Sequence, residues 1–185
     1  MRYIIGFLIT IGLLIILIVM LVSGGGDKAK VPTTSKPLLS YADTDAEARL
    51  TIDGPINAES KHRQVQISVD HNHVMYTEIG GYNGNVITQK TYSNNTSAFR
   101  NFLAAIARAG FTKGSTDSAL GSELGYCSTG NRYVYELNKG GQTIERYWST
   151  SCGKPKSYLG NVSLTNNLFR AQVPDYSSFS SDISF

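Results

Sequence analysis

The run from Tyr3 to Val22, YIIGFLITIGLLIILIVMLV, contains no charged residue, and it constrains the chain more than any other stretch. At ~1.5 Å rise per residue a helix of this length crosses a hydrocarbon core of ~30 Å. Residues 1–22 are therefore expected to form a transmembrane signal-anchor helix, in contact with the membrane lipid bilayer through residues 3–22. A cleaved signal peptide would carry a shorter apolar region, ~7–15 residues, closed by an A-x-A-like site, whereas this run offers only Val22-x-Gly24. No cysteine near its end could carry a lipid. Flanking charge does not orient the helix, because Arg2 stands on one side and Lys28, Lys30 and Lys36, tempered by Asp27, stand on the other.

From Ser23 to Pro37 the sequence SGGGDKAKVPTTSKP lacks apolar periodicity and cannot bury a core. Residues 23–39 are expected to be a flexible linker and residues 40–185 an extracytoplasmic α+β domain of single-domain size. The net charge of +3, with acidic and basic residues interspersed, argues against a nucleic-acid surface, which clusters Lys and Arg on one face.

Within the domain, Val65, Ile67 and Val69 alternate with Gln64, Gln66 and Ser68, the period of a strand with one buried face. Asp70-His71-Asn72-His73 supplies turn residues, Val74 to Gly81 resumes the strand pattern, and Asn83-Gly84 signals a hairpin before Val86 to Tyr92. Leu50 and Ile52, or Ile56 to Ser60, are expected to add a strand at the N-terminal edge of this antiparallel meander. A helix follows, capped by Asn95 or Thr96 and closed by Gly110, with Phe99, Phe102, Leu103 and Ile106 in one stripe that packs on the sheet. A short C-terminal helix over Leu164 to Val173 ends at Pro174, and the Ser-rich tail beyond Tyr176 is expected to fray.

Arg132 to Leu137 and Gln142 to Trp148 read as a hairpin about Asn138-Lys139-Gly140-Gly141. Pairing Leu137 with Gln142 gathers Tyr133, Tyr135, Leu137, Ile144 and Trp148 on one face, and Arg132, Glu136, Thr143, Glu145 and Tyr147 on the other. The same register sets Cys127 opposite Cys152, which predicts a structural disulfide and hence an oxidising compartment. The disulfide settles the orientation left open above: the protein is expected at the cell membrane, single-pass, with its C-terminal domain outside the cytoplasm.

Few residues suggest chemistry. His71 and His73, with Asp70, Asn72 or His62, could hold a metal, but the pattern falls short of a ligand signature and suits a polar turn better. Asp43, Asp45 and Glu47 lack the glycine and terminal glutamate of an EF-hand loop. No nucleophile elbow, Walker loop or dinucleotide-binding turn occurs, so no catalytic, cofactor-binding or metal residue is assigned. Arg132, Glu145 and Tyr147, expected together on the charged face of the hairpin, form a candidate interaction surface, because exposed Tyr and Arg favour interfaces. The leading expectation is a non-enzymatic module making protein or glycan contacts outside the cell, as an adhesin-like domain or accessory envelope subunit. A metal-assisted hydrolase using His71 and His73, and a small disulfide-stapled inhibitor, are the alternatives.

Overall fold

The chain divides into two units, Met1–Lys30 and Val31–Phe185, and the computed structural model describes residues 36–180 of the second. The expected signal-anchor helix 1–22, and the linker up to residue 35, lie outside the described residues. Among the described residues no helix is long and apolar enough to cross a membrane.

These residues build an α+β fold around one antiparallel sheet ordered β4-β3-β2-β1-β5-β6. Its strands are β1 (Ala46–Asp53), β2 (Arg63–Val69), β3 (His73–Gly80), β4 (Asn85–Ser93), β5 (Arg132–Lys139) and β6 (Gln142–Thr150). The meander β2–β3–β4 follows the alternation read in the sequence. The strand carrying Leu50 and Ile52 does not sit at an edge, however. It lies in the middle, paired with β2 on one side and β5 on the other. Its composition suits that place, since Ala46, Ala48, Leu50 and Ile52 are fully buried on one face and Thr51 is nearly so on the other.

Helix α1 (Thr96–Ala109) starts where the Asn95 side chain accepts the Ala98 N–H, and stops at Gly110, which takes the left-handed φ of 85° that favours glycine. Its buried stripe of Phe99, Phe102, Leu103 and Ile106 covers the sheet face formed by Leu50, Ile52, Val65, Ile67 and Tyr135. Helix α2 (Val162–Arg170), capped by Asn161, adds Phe169, which meets Phe102 edge to face at 5.0 Å. From Tyr176 to Ser180, within the tail expected to fray, the chain forms α3 (Tyr176–Ser180), whose Tyr176 and Phe179 rings pack on Tyr76 at 6.1 and 5.6 Å, and residues 181–185 lie outside the described residues. Two spaced aromatic residues give this short segment enough apolar area to dock. At the other end, Leu38 is buried in a 3-10 turn over Leu38–Tyr41, so the last residues of the expected linker already belong to the folded body.

The β5–β6 hairpin differs in register from the sequence reading. Gly140 and Gly141 both take positive φ, 58° and 76°, and close a two-residue turn, so Asn138 and Lys139 join the strand instead of the loop. A bulge between Leu137 and Asn138 adds a further step, and Leu137 faces Glu145 instead of Gln142. The displacement is three residues, an odd number, so every side chain of β6 changes face relative to β5. Tyr147 and Glu145 therefore share the helix-covered face with Tyr135 and Leu137, and Trp148 pairs with Val134 on the opposite face.

The disulfide is present, Cys127 to Cys152 with Cα atoms 5.8 Å apart, but the strands do not pair the two cysteines. Continuing the observed register outward sets Gly130 across from Cys152. Cys127, at a φ of 52°, turns back beneath it, and the Gly130 N–H donates to the Cys127 carbonyl at 3.1 Å. A Cβ at Gly130 would lie 2.7 Å from the Cys127 sulfur, so the missing side chain makes the room the bridge occupies.

Candidate interaction edge

The sheet has two edge strands of nine residues each, β4 and β6. An edge strand presents unpaired backbone N–H and C=O groups. Along β6 part of this row is covered. After the Cys152 turn the chain returns, and the Trp148 carbonyl accepts the N–H groups of Ser157 and Tyr158 at 3.0 and 2.8 Å, while the Trp148 N–H donates to Ser157 Oγ at 2.9 Å. No described segment pairs with the outer side of β4. Its residues are exposed except for half-buried Thr88 and Tyr92.

At the turn-proximal end of this edge Tyr82, Val86 and Ile87 are 52%, 58% and 51% exposed, which gathers three apolar side chains at one end of the strand. The β3–β4 pairing shifts register between Glu78 and Ile79, so Val86 faces Ile79 while the Ile87 side chain crosses toward Gly80 on the other side. Both sides of the strand therefore begin with an aliphatic residue. Lys90, the only ionisable side chain with a full charge on β4, folds back over the Phe179 ring at 5.8 Å and does not guard the backbone row.

Tyr82 is held firmly. Its hydroxyl accepts the Asn57 N–H at 3.0 Å and donates to the Asn57 carbonyl at 2.8 Å, while its ring stacks on buried His62 at 4.1 Å. His62 Nε2 meets Asp53 Oδ1 at 2.9 Å and Nδ1 meets the Pro55 carbonyl at 3.1 Å. The other Asp53 oxygen accepts from Arg132 Nε and Nη2 at 2.9 and 2.6 Å, and Arg132 also donates to the Gly54 carbonyl at 2.8 Å. The Asp53–His62–Arg132 cluster thus ties the ends of β1, β2 and β5 together and supports the platform on which Tyr82 rests. It combines satisfied hydrogen-bond geometry with opposite charge, the condition under which a buried ion pair is tolerated.

The expected surface of Arg132, Glu145 and Tyr147 is not an exposed one. The three are 3%, 3% and 5% exposed. Arg132 belongs to the Asp53 cluster, while Glu145 and Tyr147 turn to the helix side through the register shift. Tyr147 lies over Gly114, where a Cβ would come within 1.8 Å of the ring, and burial followed by the nearby Glu145 carboxylate raises its pKa. The histidine segment is a turn built on Asp70, whose Oδ1 accepts the N–H groups of Asn72 and His73 at 2.6 and 2.8 Å. Asp43 pairs with Arg100 and Glu47 with Arg49, so two of the three acidic leader residues are engaged separately. Among the described residues no three His, Cys, Asp or Glu side chains gather as a metal group would need.

Sequence reasoning read β4 as a strand but singled out neither it nor Tyr82 as a candidate surface, although a signal was there: NVITQKTYS has no proline and no carboxylate, and its Val86-Ile87 pair breaks the alternation of a strand with one covered face. Comparison of the chain with models of known protein families finds no match, and comparison with curated proteins finds none either.

Proposed function

We propose that this chain is an exported, membrane-tethered recognition module, non-enzymatic, that binds an extended polypeptide segment along β4. The observation that carries the reading is the unguarded nine-residue edge beginning at the exposed Tyr82–Val86–Ile87 cluster. Strand addition takes its affinity from backbone hydrogen bonds and its specificity from alternate side chains. The partner segment that suits this edge has β-branched or aromatic residues at alternate positions, and a carboxylate in register with Lys90, because β4 has a single full charge and that charge is positive. The apolar run 3–22 would hold the module at the bilayer, and the Cys127–Cys152 bridge is consistent with an oxidising exterior.

The test uses the full 185-residue chain and a library of synthetic peptides that alternate Val, Ile or Tyr with polar residues and carry one Asp. Binding should slow hydrogen exchange at the amides of residues 85–93 and disappear in Val86→Lys with Ile87→Lys. Peptides that bind without protecting β4, or that survive the double substitution, would overturn the reading. The tether is tested separately: a reporter active only outside the cytoplasm, fused after Phe185, should be active.

A further inference from the structure

A cleft of about 280 Å³ opens between α2 and the ends of β5 and β6. It involves no residue of β4. On α2 the residues Ser163, Asn166, Asn167 and Arg170 follow one another at helical spacing and line it, facing Tyr133 and Thr150 across the gap. No Asp or Glu lines the cleft.

Arg170 is out of pattern with the other buried and half-buried arginines. Arg49 pairs with Glu47, Arg63 with Glu78, Arg132 with Asp53 and Arg146 with Glu123. Among the described residues Arg170 has no carboxylate within ion-pair distance. Its guanidinium lies over the Tyr176 ring at 5.5 Å and is hydrogen-bonded to that side chain, while its buried Nε has no hydrogen-bond partner. A buried donor left unmade costs more than a typical hydrogen bond contributes. Beside it Asn166, 6% exposed, is fixed by the Tyr135 hydroxyl, which donates to Asn166 Oδ1 at 2.8 Å. That bond orients the carboxamide of a residue that lines the cleft.

We propose that this cleft binds a small ligand through a single carboxylate, received by Arg170 and the Asn166 amide. The planar guanidinium fork matches a carboxylate's two oxygens. One cation balances one negative charge, whereas a phosphate dianion would bring a second charge with nothing to meet it. The volume, just under the usual range for drug-sized ligands, fits an acylated amino acid or the last residue of a peptide.

Amide chemical shifts of the full chain, titrated with N-acetylglycine, should move at Tyr133, Thr150 and residues 162–170, and the methyl ester should leave them still. A hexapeptide with a free carboxyl end, compared with its C-terminal amide, distinguishes a peptide terminus from a free small carboxylate; binding of either carboxylate form alone supports the site. Arg170→Gln should weaken binding by roughly tenfold to a hundredfold, the size of one charge-assisted hydrogen bond. Asn167→Trp, at an exposed position, should fill the cleft and block binding if Arg170→Gln fails to fold. Equal binding of the ester, phosphate binding as well as N-acetylglycine, an unchanged response in Asn167→Trp, or no shifts at all would overturn the proposal.

Discussion

β4 and β6 are edge strands of equal length in one sheet, yet among the described residues one is bare and the other is built over. The difference lies in where the chain goes next. After β4 it passes directly into α1, whose apolar stripe belongs on the face of the sheet, so no described segment returns along the edge. After β6 it turns at Cys152, is fastened there to Cys127, and comes back to cap Trp148. A second layer then forms over the polar face: Trp148 Nε1 donates to the Leu120 carbonyl at 2.6 Å, the Tyr126 ring stacks on the indole at 5.2 Å, and Arg146 reaches Glu123 at 2.6 Å. An edge left bare while its counterpart is covered suits a strand held open for a partner.

The comparison breaks most sharply at Trp148. Trp148→Ala removes a nearly fully buried indole that loop, strand and returning segment all touch, and should cost about 3–5 kcal/mol in denaturant unfolding. If it costs no more than a substitution on β4, the covered side is not the stable one. Next in size, Cys127→Ser with Cys152→Ser should cost about 2–5 kcal/mol with the same fold, since the bridge closes a separation of 25 residues. Free thiols titrating in the native oxidised protein would sink that expectation.

Alkali should attack the helix-covered layer. Burial raises the pKa of Tyr76, Tyr135 and Tyr158 above the ordinary tyrosine value. A raised folded-state pKa contributes stability that is whole below the unfolded value of about 10 and lost as pH climbs toward the folded values, because the unfolded chain releases those protons first. Phenolate absorbance should accordingly appear together with unfolding, in one cooperative step above about pH 10. Early, separate titration of all 11 tyrosines would contradict it. On the bare edge, Val86→Lys with Ile87→Lys should alter stability by only about 0.5 kcal/mol per site, as exposed positions do, while abolishing peptide binding.

These effects also mark what a sequence can disclose. Helix α1 was legible because its signals are local: the Asn95 cap, the stripe of Phe99, Phe102, Leu103 and Ile106, and Gly110. The central place of β1 was not, because its partner β5 lies some eighty residues away and both neighbours read alike. The hairpin was legible as a hairpin, but two adjacent glycines allow a two-residue turn or part of a longer loop, and a bulge leaves no mark in the pattern. The bulge moved Trp148, Tyr147 and Glu145 to the wrong faces, since the two-residue shift at the turn alone would have kept them, and with Arg132 drawn to Asp53 it dissolved the candidate surface. The cysteine pairing survived the wrong register because the turn at Gly130 restores the closeness that strand pairing was expected to supply.

The smallest effect belongs to the histidine turn, at the opposite end of β3 from Tyr82. Asp70 organises that turn through its own carboxylate, taking the N–H groups of Asn72 and His73, while Asn94 Nδ2 donates to the Asp70 carbonyl at 2.6 Å and the Asn94 N–H to the Asn72 carbonyl at 2.7 Å. None of these bonds uses an imidazole. His73 is exposed and His71 half-buried, so His71→Ala with His73→Ala removes side chains that the turn does not employ and should change stability by only about 0.5 kcal/mol. Asp70→Ala, by contrast, strips two backbone donors of their acceptor and should cost about 1 kcal/mol, as loss of a comparable cap does. Thermal unfolding with and without added zinc decides between a turn and a metal clip: a zinc-dependent rise in Tm that vanishes in the double alanine variant would make the imidazoles ligands, and an unchanged Tm in both leaves Asp70 as the residue that shapes this end of the sheet.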